Sequence, residues 1–289
     1  MTFNNVTIIG TGLLGCSLAL SLKKNKLSKN IIGLDINDKH SKAAFDKGII
    51  DEYCIYTNHQ SAIMHSDWIV LCVPVGTMAQ TMADIAPFVS QHSIISDVGS
   101  TKQSTIQAAI KNLSATQLMR FIPLHPIAGS DKHGPNAAVN DLFVNKPLII
   151  TPLNCNKEID IINMQNLWQT IGSNVKCMSA KEHDDIFAVV SHLPHVLSFA
   201  FMDYLISLDN KDAYLDIAGS GFKDFTRIAG SSHIIWKDIC FANKNAILQH
   251  LKSYIQNLNE LYVTIENQDS KLGDIFKKSS LERQKLNNK

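Results

Sequence analysis

VTIIGTGLLG, residues 6–15, decides the fold. Val6 to Ile9 are apolar or β-branched and read as a buried strand. Gly10, Gly12 and Gly15 then form G-x-G-x-x-G, and the apolar run CSLALSL that follows reads as a helix. Each glycine has its own reason: Gly10 permits a tight turn out of the strand, Gly12 lets a pyrophosphate approach the backbone, and Gly15 lets helix and strand pack closely. The helix N-terminus offers free N–H groups to phosphates. A second apolar segment, IIGLD, ends at Asp35, where an acid binding the adenosine ribose hydroxyls is expected. Ile36, Asn37 and Asp38 come next. With no cation directly after the acid, NAD is favoured over NADP. Leu13 and Leu14 of the fingerprint belong to the same expected cofactor surface. The competing reading is a glycine-rich turn in some other α/β protein.

The wider composition suits an intracellular enzyme better than a nucleic-acid or membrane protein. Lys and Arg number 27 against 26 Asp and Glu, and 45% of the 289 residues are hydrophobic. That balance predicts no nucleic-acid partner and no attraction to an acidic membrane. The six cysteines are scattered without a C-x-x-C pair, as expected of free thiols in a reducing compartment. No secretory leader and no uninterrupted membrane-length apolar run is legible, so a cytoplasmic location is expected.

Short apolar runs alternate with helical patterns through the first part of the chain, predicting a mostly parallel sheet. The run HSDWIVLCVP reads as an inner strand ending near Val73 and Pro74, where a cofactor crevice opens beyond the carboxyl ends of strands. The pattern then becomes all-helical near Ala180. This predicts an α/β Rossmann-type dinucleotide-binding domain over 1–179 and a helical dimerisation and substrate domain over 180–289. Residues 181–208 carry a long helical stripe that Pro194 must kink or interrupt. The basic tail from Lys271 reads as a frayed, solvated end.

Four clusters could carry chemistry. The strand SIISDVGS leads to Ser100 and Lys102, near the expected nicotinamide position, although Ser100 or Thr101 could simply cap the next helix. RFIPLHPI brings His125 to a strand's carboxyl end, where a neutral imidazole can accept a hydroxyl proton. HDDIFAVVSHLPH holds His183, His192 and His195; the last two share a helical face. Their spacing lacks the H-E-x-x-H pattern, so no metal is expected. GSGFKDFTRIAGSSHIIWKDI contains Asp224, Arg227 and Trp236. There Arg227 could grip a carboxylate and Trp236 could cover a ring. The alternative is an internal Arg227–Asp224 salt bridge beside a core tryptophan.

Together GTGLLG, DVGSTK, HPIAGS with its following HGP, HDD…SHLPH and GFKDFTRIAGS…W resemble the prephenate/arogenate dehydrogenases of tyrosine biosynthesis. The resemblance implies a Rossmann-type domain followed by a helical domain that forms a homodimer. It further implies that His125 is the catalytic histidine on the substrate's ring hydroxyl, that Ser100 orients it, and that His195 lies near the substrate. Ser130, His192, Asp224, Arg227 and Trp236 take substrate-side roles, with Arg227 on a carboxylate and Asp224 in an ionic network. Gly10, Gly12, Leu13, Leu14, Gly15, Asp35, Val73, Pro74 and Ser100 would contact NAD.

The implied reaction is oxidative decarboxylation of prephenate. Hydride leaves C4 for NAD⁺ as His125 takes the hydroxyl proton; CO₂ departs, and the ring aromatises to 4-hydroxyphenylpyruvate. An ordinary imidazole would make activity rise with pH in the region around 6–7. The alternatives are an arogenate dehydrogenase forming tyrosine and a non-catalytic NAD-binding sensor.

Overall fold

A computed structural model describes residues 2–129 and 133–286 of the chain. The described residues form eight strands: β1 (Phe3–Ile9), β2 (Ser28–Asp35), β3 (Glu52–Ile55), β4 (Trp68–Leu71), β5 (Ile94–Asp97), β6 (Phe121–Pro126), β7 (Pro147–Ile150) and β8 (Asn174–Cys177). They form one sheet in the order β3-β2-β1-β4-β5-β6-β7-β8. The first six are parallel, β7 runs antiparallel to β6, and β8 is parallel to β7. The strand order reverses between β1 and β4, which is where dinucleotide-binding sheets open their crevice.

Both faces of the sheet are buried, which is why its inner strands are continuously apolar. Successive side chains alternate faces. Ile8 therefore packs with Trp68 and Val70 in one core cluster, while Ile9 packs with Ile69 and Leu71 in the other. The helix Leu13–Lys24 lies against β1 because Gly15 has no side chain: a Cβ there would sit 2.1 Å from the Gly10 carbonyl oxygen. Gly10 itself has φ +99°, and a Cβ on it would meet the Cys72 carbonyl oxygen at 2.3 Å. Strand β4 stops at Leu71, short of Val73 and Pro74, which begin the loop beyond it.

The chain divides into two compact units, Met1–Lys244 and Asn245–Lys289. The first holds the sheet and the helices through Ala242. One continuous helical run, Ala180–Ile206, changes character midway: it is α over Ala180–Phe187, π over Ala188–His192 and α again over Leu193–Ile206. Pro194 thus widens the run locally and does not break it. Proline lacks the N–H that would bind the carbonyl four residues back, and the looser turn accommodates the loss. By length and composition this run could cross a membrane, yet it carries the buried polar residues His183, Asp184 and His192. The second unit contains the long helix up to Glu266 and a further helix, Lys271–Leu286. The expected frayed tail is therefore helical. Asp274 in its first turn and Arg283 and Lys285 in its last complement the helix dipole.

Candidate active site

The residues singled out in the nucleotide-binding half gather at the carboxyl edge of the sheet. Gly10 follows β1, Asp35 ends β2, Val73 and Pro74 follow β4, Ser100 follows β5, and His125 is the penultimate residue of β6. Asp35 is held firmly: its Oδ2 accepts the Thr11 backbone N–H at 2.8 Å and its Oδ1 accepts the Asn37 N–H at 2.9 Å. Gly12 is the N-cap residue of Leu13–Lys24 and offers no side-chain cap, so the first N–H groups there are left for a ligand. A Cβ on Gly12 would have nothing within 4 Å, unlike those on Gly10 and Gly15. The protein itself does not use that space, which leaves the backbone there open to a phosphate group. Gly12→Ala should therefore fold normally and bind NAD⁺ more weakly, whereas Gly15→Ala should lower stability as well. Calorimetric titration beside thermal melts separates the two; equal NAD⁺ affinity in Gly12→Ala would show that no phosphate approaches there.

His125 is held from behind by residues distant in sequence. Its Nδ1 lies 2.8 Å from His183 Nε2, and His183 Nδ1 lies 2.8 Å from Asp184 Oδ1. Asp184 also accepts the backbone N–H groups of Lys102 at 2.8 Å and Gln103 at 2.9 Å. These open the helix Gln103–Asn112, so its N-terminus is capped by a residue 82 positions away and not by Ser100 or Thr101. Beneath them, the fully buried Lys102 ammonium pairs with Asp97 and donates to the Leu124 carbonyl at 2.6 Å. Ser100, expected to orient His125, has no hydrogen-bond partner among the described residues; the side chain in contact with the His125 ring nitrogen is His183. The rings of His183 and Phe187 pack against His125 with centroids 5.0 and 4.9 Å away. Burial, with the neighbouring His183, Lys102 and His192, holds His125 well below the ordinary imidazole value of 6.5. Burial alone would raise Asp184, but the hydrogen bonds it accepts outweigh that and hold it below the usual carboxylate range.

The other two histidines have assigned valences too. Asn243 Nδ2 donates to the Asp184 carbonyl at 2.7 Å and to His192 Nδ1 at 3.1 Å. His192 is thus an acceptor at Nδ1 and a donor at Nε2, and burial lowers it to about 4. His195 Nδ1 donates to the Ser191 carbonyl at 2.9 Å, one of the carbonyls of the π turn, and its Nε2 remains an acceptor. The His195 ring stacks on Trp236 with centroids 3.5 Å apart and planes within 16°. His192 meets the same indole edge-on at 6.1 Å. Arg227 lies close enough for its charge to act on His195. It makes no ion pair with Asp224 or with any other described residue, so the expected alternative of an internal salt bridge is not what the chain forms. Asp224 is exposed and likewise unpaired among the described residues. Ser130 lies outside the described residues. Where the loop after β4 meets the helix His233–Ala242, Gly76 abuts the Asp238 carboxylate so closely that a Cβ would lie 2.3 Å from it. The loop beyond Pro74 and the helix bearing Trp236 are thereby in register.

Sequence reading places His183 and Lys102 among the candidates but does not pair them with Asp184, Asp97 or His125, and it passes over Asn243. Motifs such as HDD and DVGSTK say nothing of who meets whom. Among the described residues no three His, Cys, Asp or Glu side chains gather to hold a metal.

A phosphate turn and a neutral imidazole on the same sheet edge define the class, an NAD-dependent oxidoreductase, and comparison with known proteins narrows it. Residues 18–177 match the nucleotide-binding domain of prephenate dehydrogenase, and residues 179–278 match its dimerization domain. The chain is 32% identical over 269 residues to prephenate dehydrogenase of Bacillus subtilis, covering 92% of this chain and 71% of the relative. It is 31% identical over 289 residues to cyclohexadienyl dehydrogenase of Zymomonas mobilis, covering 98% and 94%. The crystal structure of Aquifex aeolicus prephenate dehydrogenase with hydroxyphenyl propionate and NAD⁺ matches with a TM-score of 0.91 at 31% identity, over 99% of both chains. That of Synechocystis arogenate dehydrogenase matches with 0.82 at 26% identity, over 98% and 99%. The chain belongs to the prephenate dehydrogenase family, with NAD as its cofactor and a dimerization domain in its helical half.

Proposed function

We propose that this protein converts prephenate to 4-hydroxyphenylpyruvate and CO₂. In this reading residues 1–179 bind NAD and residues 180–289 form the helical half through which two copies associate. The observation that carries it is the stack of His195 on Trp236 with His192 at its edge, flanked on one side by the imidazole of His125, on which His192 acts by charge, and on the other by the guanidinium of Arg227, which acts on His195 and pairs with no carboxylate among the described residues. A substrate with a hydroxyl at one end of a ring and acid groups elsewhere matches that spread of chemistry. The apolar residues Val189, Val190, Phe201, Tyr204 and Phe241, exposed in the single chain, support association of the helical half.

When bound, NAD⁺ supplies the hydride acceptor at the substrate's C4. His125 takes the proton of the C4 hydroxyl, which makes loss of hydride favourable. Arg227 holds a substrate carboxylate by two parallel hydrogen bonds, and the stacked His195–Trp236 pair presents a flat surface to the ring. Ser100, its hydroxyl uncommitted, would contact the nicotinamide end, and Gly10, Gly12, Leu13, Leu14, Gly15, Asp35, Val73 and Pro74 would hold the rest of the cofactor.

The test is turnover of each purified substrate with NAD⁺ and identification of the product. Prephenate should yield 4-hydroxyphenylpyruvate and CO₂ in equal amount with NADH. Efficient turnover of arogenate alone, giving tyrosine, would transfer the assignment to that substrate, and failure with both would end it.

The structure changes the expected pH profile. A histidine whose value is lowered is still unprotonated at neutral pH and becomes an inactive imidazolium only when pH falls through the lowered value. Hydride transfer should therefore be flat around pH 6.5, the ordinary value that His125 undercuts, and should fall only at lower pH. Single-turnover rates across pH check this; a rise centred at or above the ordinary value would show that His125 is not depressed.

A further inference from the structure

We infer that His183 and Asp184 are positioning residues that fix the tautomer of His125 and so leave its Nε2 as the proton acceptor. The inference rests on the reading of His125 as the base, and it names which of the two ring nitrogens does the work.

The direction of each hydrogen bond follows from the end of the chain of contacts. Asp184 takes two backbone N–H groups from the start of the Gln103–Asn112 helix, so its carboxylate acts as an acceptor throughout. His183 must then donate to it from Nδ1. A neutral imidazole that donates at Nδ1 accepts at Nε2, and His183 Nε2 is the atom facing His125 Nδ1. His125 therefore carries its proton on Nδ1 and its lone pair on Nε2. The reverse assignment would require either a protonated Asp184 that still accepted two N–H groups or an imidazolium at His183, which donates from both nitrogens; burial, which lowers His183 below the ordinary imidazole value, opposes the latter.

The charged and titratable groups around the two rings agree with this polarity. Lys102, from the segment after β5, opposes a second positive charge nearby; Asp97 offsets Lys102. His192, from the long helical run, is engaged with Asn243. No bond is made or broken in His183 or Asp184 during the reaction. The substrate hydroxyl proton passes to His125 Nε2, the resulting imidazolium keeps donating from Nδ1 to His183, and the proton later leaves Nε2 for solvent. Holding the ring and its tautomer is the same service that a buried carboxylate gives the histidine of a hydrolytic triad.

The test uses the full-length protein labelled with ¹⁵N-histidine, with His125 assigned by comparison with His125→Asn. The wild type should show the Nδ1–H tautomer at His125. His183→Leu removes the acceptor and should shift His125 toward the Nε2–H form. Its kcat should fall by roughly 10²-fold or more, the scale of a general base lost to the wrong protonation state, with KM and NAD⁺ affinity little changed. His183→Gln can present its amide oxygen near the old Nε2 position, and should recover both the tautomer and much of kcat. An Nε2–H tautomer in the wild type, or full kcat in His183→Leu, would overturn the inference. The spectrum is read without substrate, so a failure to turn over prephenate would count against the proposed reaction and leave the tautomer result to be judged by itself.

Discussion

His125→Asn should bind NAD⁺ as the wild type does and turn over substrate roughly 10²–10⁴-fold more slowly. Asparagine can still place an amide N–H where the ring donated to His183 Nε2, so the hydrogen bond behind the residue survives while the base in front is gone. Position 125 lies at the end of β6, far from the glycine turn after β1 along the sheet order, which is why the cofactor should not notice. Calorimetric NAD⁺ binding beside steady-state kinetics reads both quantities. A loss of only a fewfold would mean that the substrate hydroxyl gives its proton to another group. No turnover in the wild type with either cyclohexadienyl substrate would instead favour an NAD-binding sensor.

The second large effect is on stability. Asp184→Ala should cost about 3–5 kcal/mol, because one carboxylate satisfies two backbone N–H groups and the His183 Nδ1–H, and removing it leaves buried donors unpaired. At this chain size that corresponds to a melting temperature lower by roughly 6–20 °C. The pH dependence has a definite sign. The folded value of Asp184 lies below its unfolded value, so its contribution is fully present above the unfolded value and disappears as pH falls through the folded one. The gap between wild type and variant should accordingly close in acid. A difference under about 1 kcal/mol at neutral pH would show that water or a rearranged loop replaces the carboxylate.

Local patterns carried the nucleotide-binding half well. The turn at Gly10, Gly12 and Gly15 and the strand end at Asp35 are legible because they stand at fixed spacing along a strand–turn–helix–strand unit, and the place of His125 is legible because an apolar strand runs into it. Arg227 and Trp236 stand out as a polar face in an apolar stretch, but a lone cation and a lone indole in helices have equally good structural readings, and the resemblance tips the balance. The support behind His125 was hidden for a different reason. A capping serine just before a helix is the local expectation, and nothing in the residues around Ser100 announces that a carboxylate from the helical half does that job. Lys102 stands in the sequence as one of the polar residues near the nicotinamide, and its complete burial depends on Asp97 and the Leu124 carbonyl, which no local pattern announces. The helical tail, too, was judged by its polarity, which a solvated helix shares with a frayed end.

The π turn at Ala188–His192 sets an angular phase. At about 100° per residue, nine residues of regular α-helix would leave His192 half a turn away from His183. One extra residue taken up in the wide turn withdraws about 100° from that count, and His192 comes round to the flank on which His183 already stands. The chain thus rotates the far end of a rod against its near end without bending it, and Pro194 keeps the rod from relaxing back. Tightening the 188–192 segment to a regular α-turn at constant residue number would swing His192 and His195 by about 100° and dismantle the site by rotation alone, whereas deleting one residue there would leave eight regular residues that turn through the same angle and so keep the phase.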